Sequence, residues 1–304
     1  MIYTITLNPS VDYYIYLDDL KKGLINRISR YQFIAAGKGI NVSRMLSKSN
    51  IKSICIFPKG GFSGDFLLDE LSRDTNIECR TVSINQPNRI NVKIRHDMET
   101  DLNLEGPALD ELAQKQLLKL VLDVKTNDTV VISGSIQHGL FPLVKQICDF
   151  VNKQKGKIVL DIPNLSLKQI IECQPFMIKP NLEELQFMLC KNNELSDLLQ
   201  DIKDRIIQQG VKSLFISLGS KGAYYIDENV QYSISTQKVK VVNTVAAGDS
   251  LLAETVGSLQ LGKSLKESLK LGVAAGTAAV TVEYLPEVEN IQRIYEKVNI
   301  EEIQ

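Results

Sequence analysis

The stretch NTVAAGDS, Asn243 to Ser250, sets a carboxylate beside backbone stripped of bulk at the threshold of a helical pattern. A helix N-terminus offers unpaired N–H groups and a partial positive charge. Ala246, Ala247 and Gly248 let an anion approach that backbone closely, so a phosphate in a planar, charge-rich transition state would be stabilised there. Asp249, in the first turn, is placed to accept a proton from an attacking hydroxyl. The helix dipole is expected to lower its pKa and make it a weak base, and transfer through a loose transition state asks little of a base beyond position. The competing reading makes Asp249 a helix-start residue and nothing more.

Four further motifs sit where strands hand over to helices or turns. IAAGKGINVSRML (34–46) places Gly37 and Gly39 around Lys38, with Asn41 in the first turn. It fails as a dinucleotide fingerprint because Val42 occupies the last glycine position, which leaves a turn feeding a helix or a polar cradle for sugar hydroxyls. In KPNLEEL (179–185), Pro180 marks the boundary and Asn181 with Glu184 forms a capping-box pair. The same spacing puts an amide and a carboxylate on one helix face, where they could hold water on a phosphate-bound Mg²⁺. SLGSKGAYYI (217–226) sets Gly219 and Gly222 around Lys221, as a tight turn or as a loop that contacts a nucleotide. ISGSIQHG (132–139) ends an apolar run in Ser133, Gly134 and Ser135. A fifth motif, GSLQLGKS (257–264), matches the phosphate-binding P-loop expression. A true P-loop follows a strand, whereas Leu252, Val256 and Leu259 continue helical spacing into this one; Gly262 reads as a helix terminator and Ser264 with Glu267 as the next capping box. Lys263 is therefore expected in solvent between two helices.

The elements that must position these residues are short apolar runs: IYTITL (2–7), SICIF (53–57), TVVIS (129–133), KIVLD (157–161), FMIK (176–179) and SLFISL (213–218). Amphipathic stretches such as 109–124 and 141–154 separate most of them, which predicts an α/β fold: a doubly wound, mostly parallel sheet flanked by helices. Ligands in such sheets bind at the carboxyl ends of the strands. VDYYIYL (11–17) and RINVKI (89–94) instead look like a smaller, half-exposed sheet. In the second, Arg89, Asn91 and Lys93 share one face and Ile90, Val92 and Ile94 the other. That is an ordinary exposed strand, or a lid with a polar face for an anionic substrate and an apolar face for another surface.

Composition narrows the classes. A chain of 304 residues with a formal charge of −1 carries no overall basic field for nucleic acid. No apolar run reaches membrane-spanning length, and MIYTITLNPS lacks the features of a secretory leader. Five scattered cysteines without a CxxC pair point to a reducing cytoplasm, and two histidines, His96 and His138, leave little for a His-rich metal site.

Taken in order, TLNPSVDY, AGKGINVSR, GGFSGDFLLDEL, RINVKI, EGP, ISGS, IKPNLEEL, SLGSKGA and NTVAAGDS resemble the ribokinase-like, phosphofructokinase B sugar kinases over nearly the whole chain. The likeness is greatest to the 1-phosphofructokinase and tagatose-6-phosphate kinase branch. It implies a single ribokinase-like domain over 1–304 with a β-lid inserted at about 11–32 and 88–104, ATP and Mg²⁺ as co-substrates, and a homodimer clasped through the lids. By the resemblance, Asp249 is the base and Ala246, Ala247 and Gly248 form the anion hole. Asp12, Gly37, Lys38, Asn41 and Arg89 bind the sugar phosphate, with Lys93, Ser133 and Arg27 as further candidates. Asn181 and Glu184 serve phosphate and metal, Glu184 through water, and Ser217, Gly219 and Gly222 lie near the nucleotide. The chain departs from the branch at Ala36 and Ala246, where glycine is usual, and in DIPN (161–164) and SIQHG (135–139). The expected activity is phosphorylation of fructose 1-phosphate, with tagatose 6-phosphate as the alternative acceptor; a non-catalytic sugar-phosphate sensor and a P-loop NTPase are the competing classes.

Overall fold

The computed structural model describes residues 1–96 and 99–303. In chain order its strands are β1 (Ile2–Ile5), β2 (Ser10–Tyr16), β3 (Arg30–Ala36), β4 (Ser53–Lys59), β5 (Ile77–Ser83), β6 (Arg89–Arg95), β7 (Glu99–Leu102), β8 (Thr129–Ser133), β9 (Lys157–Asp161), β10 (Met177–Ile178), β11 (Ser213–Ser217), β12 (Ala223–Asp227), β13 (Gln231–Ser235) and β14 (Asn299–Glu302). The main sheet runs β14-β13-β12-β11-β10-β9-β8-β1-β4-β5. It is parallel from β5 to β11, and β12, β13 and β14 close one edge in antiparallel fashion.

Helices cover both faces, so the central strands need no polar side. Alternate residues feed two cores: Tyr3, Ile5, Val130 and Ile132 pack with the Phe141–Lys153 helix, while Ile2 and Val131 pack with the Lys38–Lys48 and Ala247–Gln260 helices. This two-sided burial is why the runs read as continuously apolar. The chain builds outward from β1 through β4 to β5, then returns to β8 on the other side of β1. That reversal opens a crevice at the strand carboxyl ends. Asn8, Ser10, Gly134 and Ser135 line it.

A second sheet, β3-β2-β6-β7, stands over the crevice. In register, Ser10 faces Arg89, Asp12 faces Asn91 and Tyr14 faces Lys93. Asn91 and Lys93 are buried while Ile90, Val92 and Ile94 are half-buried, so the expected division of faces holds, with the polar face turned inward. The sheet's first segment extends beyond the expected 11–32: β3 continues to Ala36 because Ile34, Ala35 and Ala36 are buried and pair with Asp12, Val11 and Ser10. Among the described residues no helix is long and apolar enough to cross a membrane.

The match to the P-loop expression does not form a P-loop, as its helical spacing implied. Gly257 lies inside the Ala247–Gln260 helix, Gly262 takes φ +81° just after it, and Ser264 caps the Leu265–Ala279 helix with Glu267 in a capping box. Lys263 is exposed between the two helices, as expected.

Candidate active site

Asp249 sits in the first turn of the Ala247–Gln260 helix and is 6% exposed. The helix's N-cap is Ala246, and no side chain caps it. The carboxylate therefore makes no capping hydrogen bond to the helix. Ala246 itself adopts φ +62°, ψ +4°, a left-handed conformation that costs a non-glycine residue about 1 kcal/mol. The turn leaves the first amides of the helix without intrahelical acceptors.

Asp249 Oδ2 accepts a hydrogen bond from Asn41 Nδ2 at 2.7 Å. Its surroundings reverse the expected pKa. Burial, then the charge of Asp161, push it up to about 6, against the opposing pull of Lys38, Asn41 and Lys179. A helix terminus contributes at most about 1 kcal/mol at exposed sites, and desolvation of a buried carboxylate exceeds that. The group is a better base than local sequence implies.

Asp161 ends β9 and is 2% exposed. Its Oδ1 takes Lys38 Nζ at 3.1 Å and Lys179 Nζ at 3.4 Å. Burial alone would lower the Lys38 pKa; Asp161, Asp249 and Glu184 outweigh it and the pKa is raised. Lys38 thus stays charged beside Asp249. Asp161 and Lys179 were not singled out from the sequence. The only signal was their place at strand carboxyl ends.

Two cavities meet at this cluster. The polar one, about 540 Å³, is walled by Asp12, Arg89 and Lys93 from the second sheet. Gly37, Lys38 and Asn41 wall it on a second side, and Ala246, Gly248 and Asp249 on a third. Ala36 also lines it, so its methyl group narrows the space. The other cavity, about 570 Å³, has apolar walls from Val239, Val241, Leu251, Val273 and Val280, and Gly219 and Gly222 lie at its edge. Gly222 has φ +89°, and a Cβ there would stand 2.1 Å from the Ile234 carbonyl oxygen, so only glycine fits. Asn181, Ser217, Thr244 and Gly248 line both cavities. A Cβ on Gly248 would lie 3.0 Å from Lys179 Nζ, a tight contact that the lysine tip would have to yield to.

The cations of the second sheet differ. Lys93 Nζ is already committed to Asp101 Oδ2 at 2.7 Å and Asn103 Oδ1 at 3.1 Å. Arg89 donates only to main-chain carbonyls, those of Leu104 at 2.9 Å and Asn8 at 3.1 Å, and its Nε has no partner among the described residues. Burial lowers its pKa, against the partial offset of Asp12. Asp12 Oδ1 accepts from Ser10 Oγ and Asn91 Nδ2, each at 2.8 Å.

The Asn181–Glu184 capping box is present: Asn181 Oδ1 accepts from Glu184 N at 2.7 Å and Glu184 Oε2 from Asn181 N at 2.9 Å. Both residues also line the polar cavity, so cap and site coincide. Two expected contacts do not form. Arg27 is exposed and lines neither cavity. Ser133 is buried beneath the crevice, its hydroxyl without a partner among the described residues, and its neighbours Gly134 and Ser135 form the lining instead.

The arrangement joins a polar, cationic cavity to an apolar one through a helix N-terminus and a buried carboxylate. The model of the pfkB family carbohydrate kinases matches residues 5–287. A 1-phosphofructokinase from Bacillus subtilis is 33% identical over 99% of both chains. A D-tagatose-1-phosphate kinase from Bacillus licheniformis is 30% identical over 99% of both. The crystal structure of phosphofructokinase-2 from Escherichia coli in complex with substrates and products superposes with a TM-score of 0.89 at 28% identity, covering 97% of this chain and 98% of that one. The chain belongs to the pfkB family of carbohydrate kinases, ATP-dependent enzymes that phosphorylate sugars.

Proposed function

We propose that the protein transfers the γ-phosphoryl group of ATP to the 6-hydroxyl of fructose 1-phosphate, giving fructose 1,6-bisphosphate. The observation that carries the choice of acceptor is Arg89, a cation facing the polar cavity with no carboxylate in hydrogen-bond reach among the described residues. A half-buried cation of this kind, without a carboxylate partner, favours an anionic ligand. The name of the Bacillus subtilis relative supports the same sugar.

In this reading the apolar cavity takes the nucleotide, with Ser217, Gly219 and Gly222 near it, and the polar cavity takes the sugar phosphate. Asp12, Gly37 and Lys38 orient the sugar and Arg89 holds its phosphate. Asp249 Oδ1, the carboxylate oxygen not engaged by Asn41, accepts the proton of the 6-hydroxyl as its oxygen attacks phosphorus. The amides of Ala247 and Gly248 stabilise the charge on the group in flight. Lys38 and Lys179, held by Asp161, add positive charge where the cavities meet. The hard oxygen donors of Asn181 and Glu184 fit Mg²⁺ held through water, and Mg²⁺ there would offset phosphate charge.

A substrate panel tests the acceptor. Measured under one set of conditions with ATP, kcat/KM should be highest for fructose 1-phosphate, ahead of tagatose 1-phosphate, tagatose 6-phosphate, fructose 6-phosphate and free fructose. The tagatose 1-phosphate arm is included because one relative is named for that isomer. A competitor exceeding fructose 1-phosphate by roughly tenfold, about 1.4 kcal/mol of transition-state binding, overturns the choice of sugar.

The outer face of the second sheet supports a homodimer. Tyr13 stacks on Phe33 at 4.5 Å, and Tyr31 and Phe33 are 63% and 45% exposed on that face. Contiguous exposed aromatics of this kind mark association surfaces. A phosphofructokinase-2 from Escherichia coli is described as tetrameric in an inhibited form, so higher assembly is a further outcome to look for. Sedimentation should give a dimer that Phe33→Glu dissociates; a parent that sediments as a monomer at micromolar concentration rejects the proposal. The five cysteines are unpaired, which supports the cytoplasm as the compartment.

A further inference from the structure

Tyr284 has no counterpart among the motifs read from the sequence. It lies in the turn after the Leu265–Ala279 helix and lines the polar cavity. Its hydroxyl donates to Asn41 Oδ1, and Asn41 Nδ2 donates in turn to Asp249 Oδ2 at 2.7 Å. The ring is backed by Arg44, whose guanidinium lies 5.6 Å from the ring centroid and donates to the Ala35 carbonyl at 3.1 Å. The turn that carries the tyrosine is fixed as well: Asn243 Nδ2 donates to the Glu283 carbonyl at 2.7 Å, and Val242 N to the Val280 carbonyl at 2.7 Å.

The polarity of this chain follows from its end. An ionised carboxylate only accepts hydrogen bonds, so the Asn41 atom facing Asp249 must be the NH₂ group. That turns the amide oxygen toward Tyr284, which must donate. The phenol can do so across the working range, because burial, against the opposing charge of Arg44, pushes its pKa up to about 12. Asn41 also lines the sugar cavity, where hydroxyl groups compete for the same amide. An amide free to swing toward the sugar leaves the base untethered.

We propose that Tyr284 is a positioning residue for phosphoryl transfer: acting through Asn41, it holds the Asp249 carboxylate in line with the acceptor hydroxyl. The proposal rests on Asp249 as proton acceptor. It assigns Tyr284 no contact with the reacting atoms, so its effect belongs in kcat rather than in KM. The charged and titratable groups around the relay are Asp161, Lys38 and Lys179 about Asp249, and Arg44, Asp12 and Tyr14 about Tyr284. None of them hydrogen-bonds Asn41 among the described residues, so the phenol is the anchor whose loss frees the amide.

Tyr284→Phe removes one oxygen and keeps the ring's packing. It should lower kcat about tenfold, the order of one hydrogen bond to a charged network, with KM for the sugar phosphate and ATP within threefold of the parent. Asn41 stabilises the ionised form of Asp249, so loosening it should move the acid limb of the kcat/KM profile to higher pH, by roughly half a unit. The double variant Asn41→Ala/Tyr284→Phe should be no slower than Asn41→Ala alone, since the two residues act in series. A Tyr284→Phe enzyme within twofold of the parent with an unmoved acid limb overturns the proposal, as do losses that multiply in the double variant. Asp249→Asn separates the two levels. If it retains the rate, the underlying reading has failed; if it loses the rate while Tyr284→Phe does not, only the relay has failed.

Discussion

Asp249→Asn is expected to lower kcat by about 10²–10⁴, the range of a lost general base, while the protein stays folded and binds ATP. Asparagine keeps the shape and can still accept from Asn41, but it cannot take the hydroxyl proton. In the parent enzyme the base must be ionised, so kcat/KM should rise with pH through about 6 and then level off. The limb disappears with the carboxylate. Stability moves the other way. A carboxyl whose folded pKa lies above its unfolded value favours folding most below the unfolded pKa, and that contribution is lost as pH rises through the folded one. At pH 7 the buried, ionised Asp249 beside Asp161 therefore costs stability, and the asparagine variant should melt no lower than the parent. The measurement is kcat on a variant shown by its melt to be folded. A loss under threefold would remove Asp249 from the chemistry.

The same residue shows what the sequence carried and what it withheld. Its place at the head of a helix, beside Ala246, Ala247 and Gly248, was legible because a strand-turn-helix junction is a local pattern. Its pKa was not, since burial and then the charge of Asp161 set the direction, and both arise only when the sheet order brings distant segments together. Asp161 and Lys179 looked like ordinary strand-end charges. Asp161 meets Lys179 because β9 and β10 are neighbours in parallel register, and Lys38 joins it from the head of the Lys38–Lys48 helix. Tyr284 was invisible for a like reason: a single aromatic after a helix has no period to reveal it. The core strands were readable from unbroken apolar runs such as TVVIS, whereas β13 and β14 mix polar and apolar residues toward a half-exposed edge and gave no such signal. The P-loop match shows the converse, a local expression satisfied in a place where the fold supplies a helix end and not a strand.

Arg89→Ala is expected to reduce kcat/KM for fructose 1-phosphate by about a hundredfold, in keeping with the loss of a bidentate, charge-assisted pair. Lys93 cannot substitute for it, because Asp101 already offsets that ammonium. Nor would lysine at position 89 suffice: the guanidinium spans from the Leu104 carbonyl to the Asn8 carbonyl, and a single ammonium cannot hold both and still grip phosphate oxygens. Those carbonyl bonds also give Arg89 a structural role, so the rate for one substrate is not decisive. Free fructose supplies the control. It lacks the phosphate but needs the same cavity walls, so a purely structural defect would slow both sugars alike, and equal losses would reject Arg89 as the phosphate ligand. If Arg89 binds the phosphate, the loss for free fructose should stay within a few-fold, and part of the loss for fructose 1-phosphate should appear in kcat. Binding energy from the remote phosphate is what aligns the 6-hydroxyl with Asp249, and alignment is a property of the bound complex rather than of its formation.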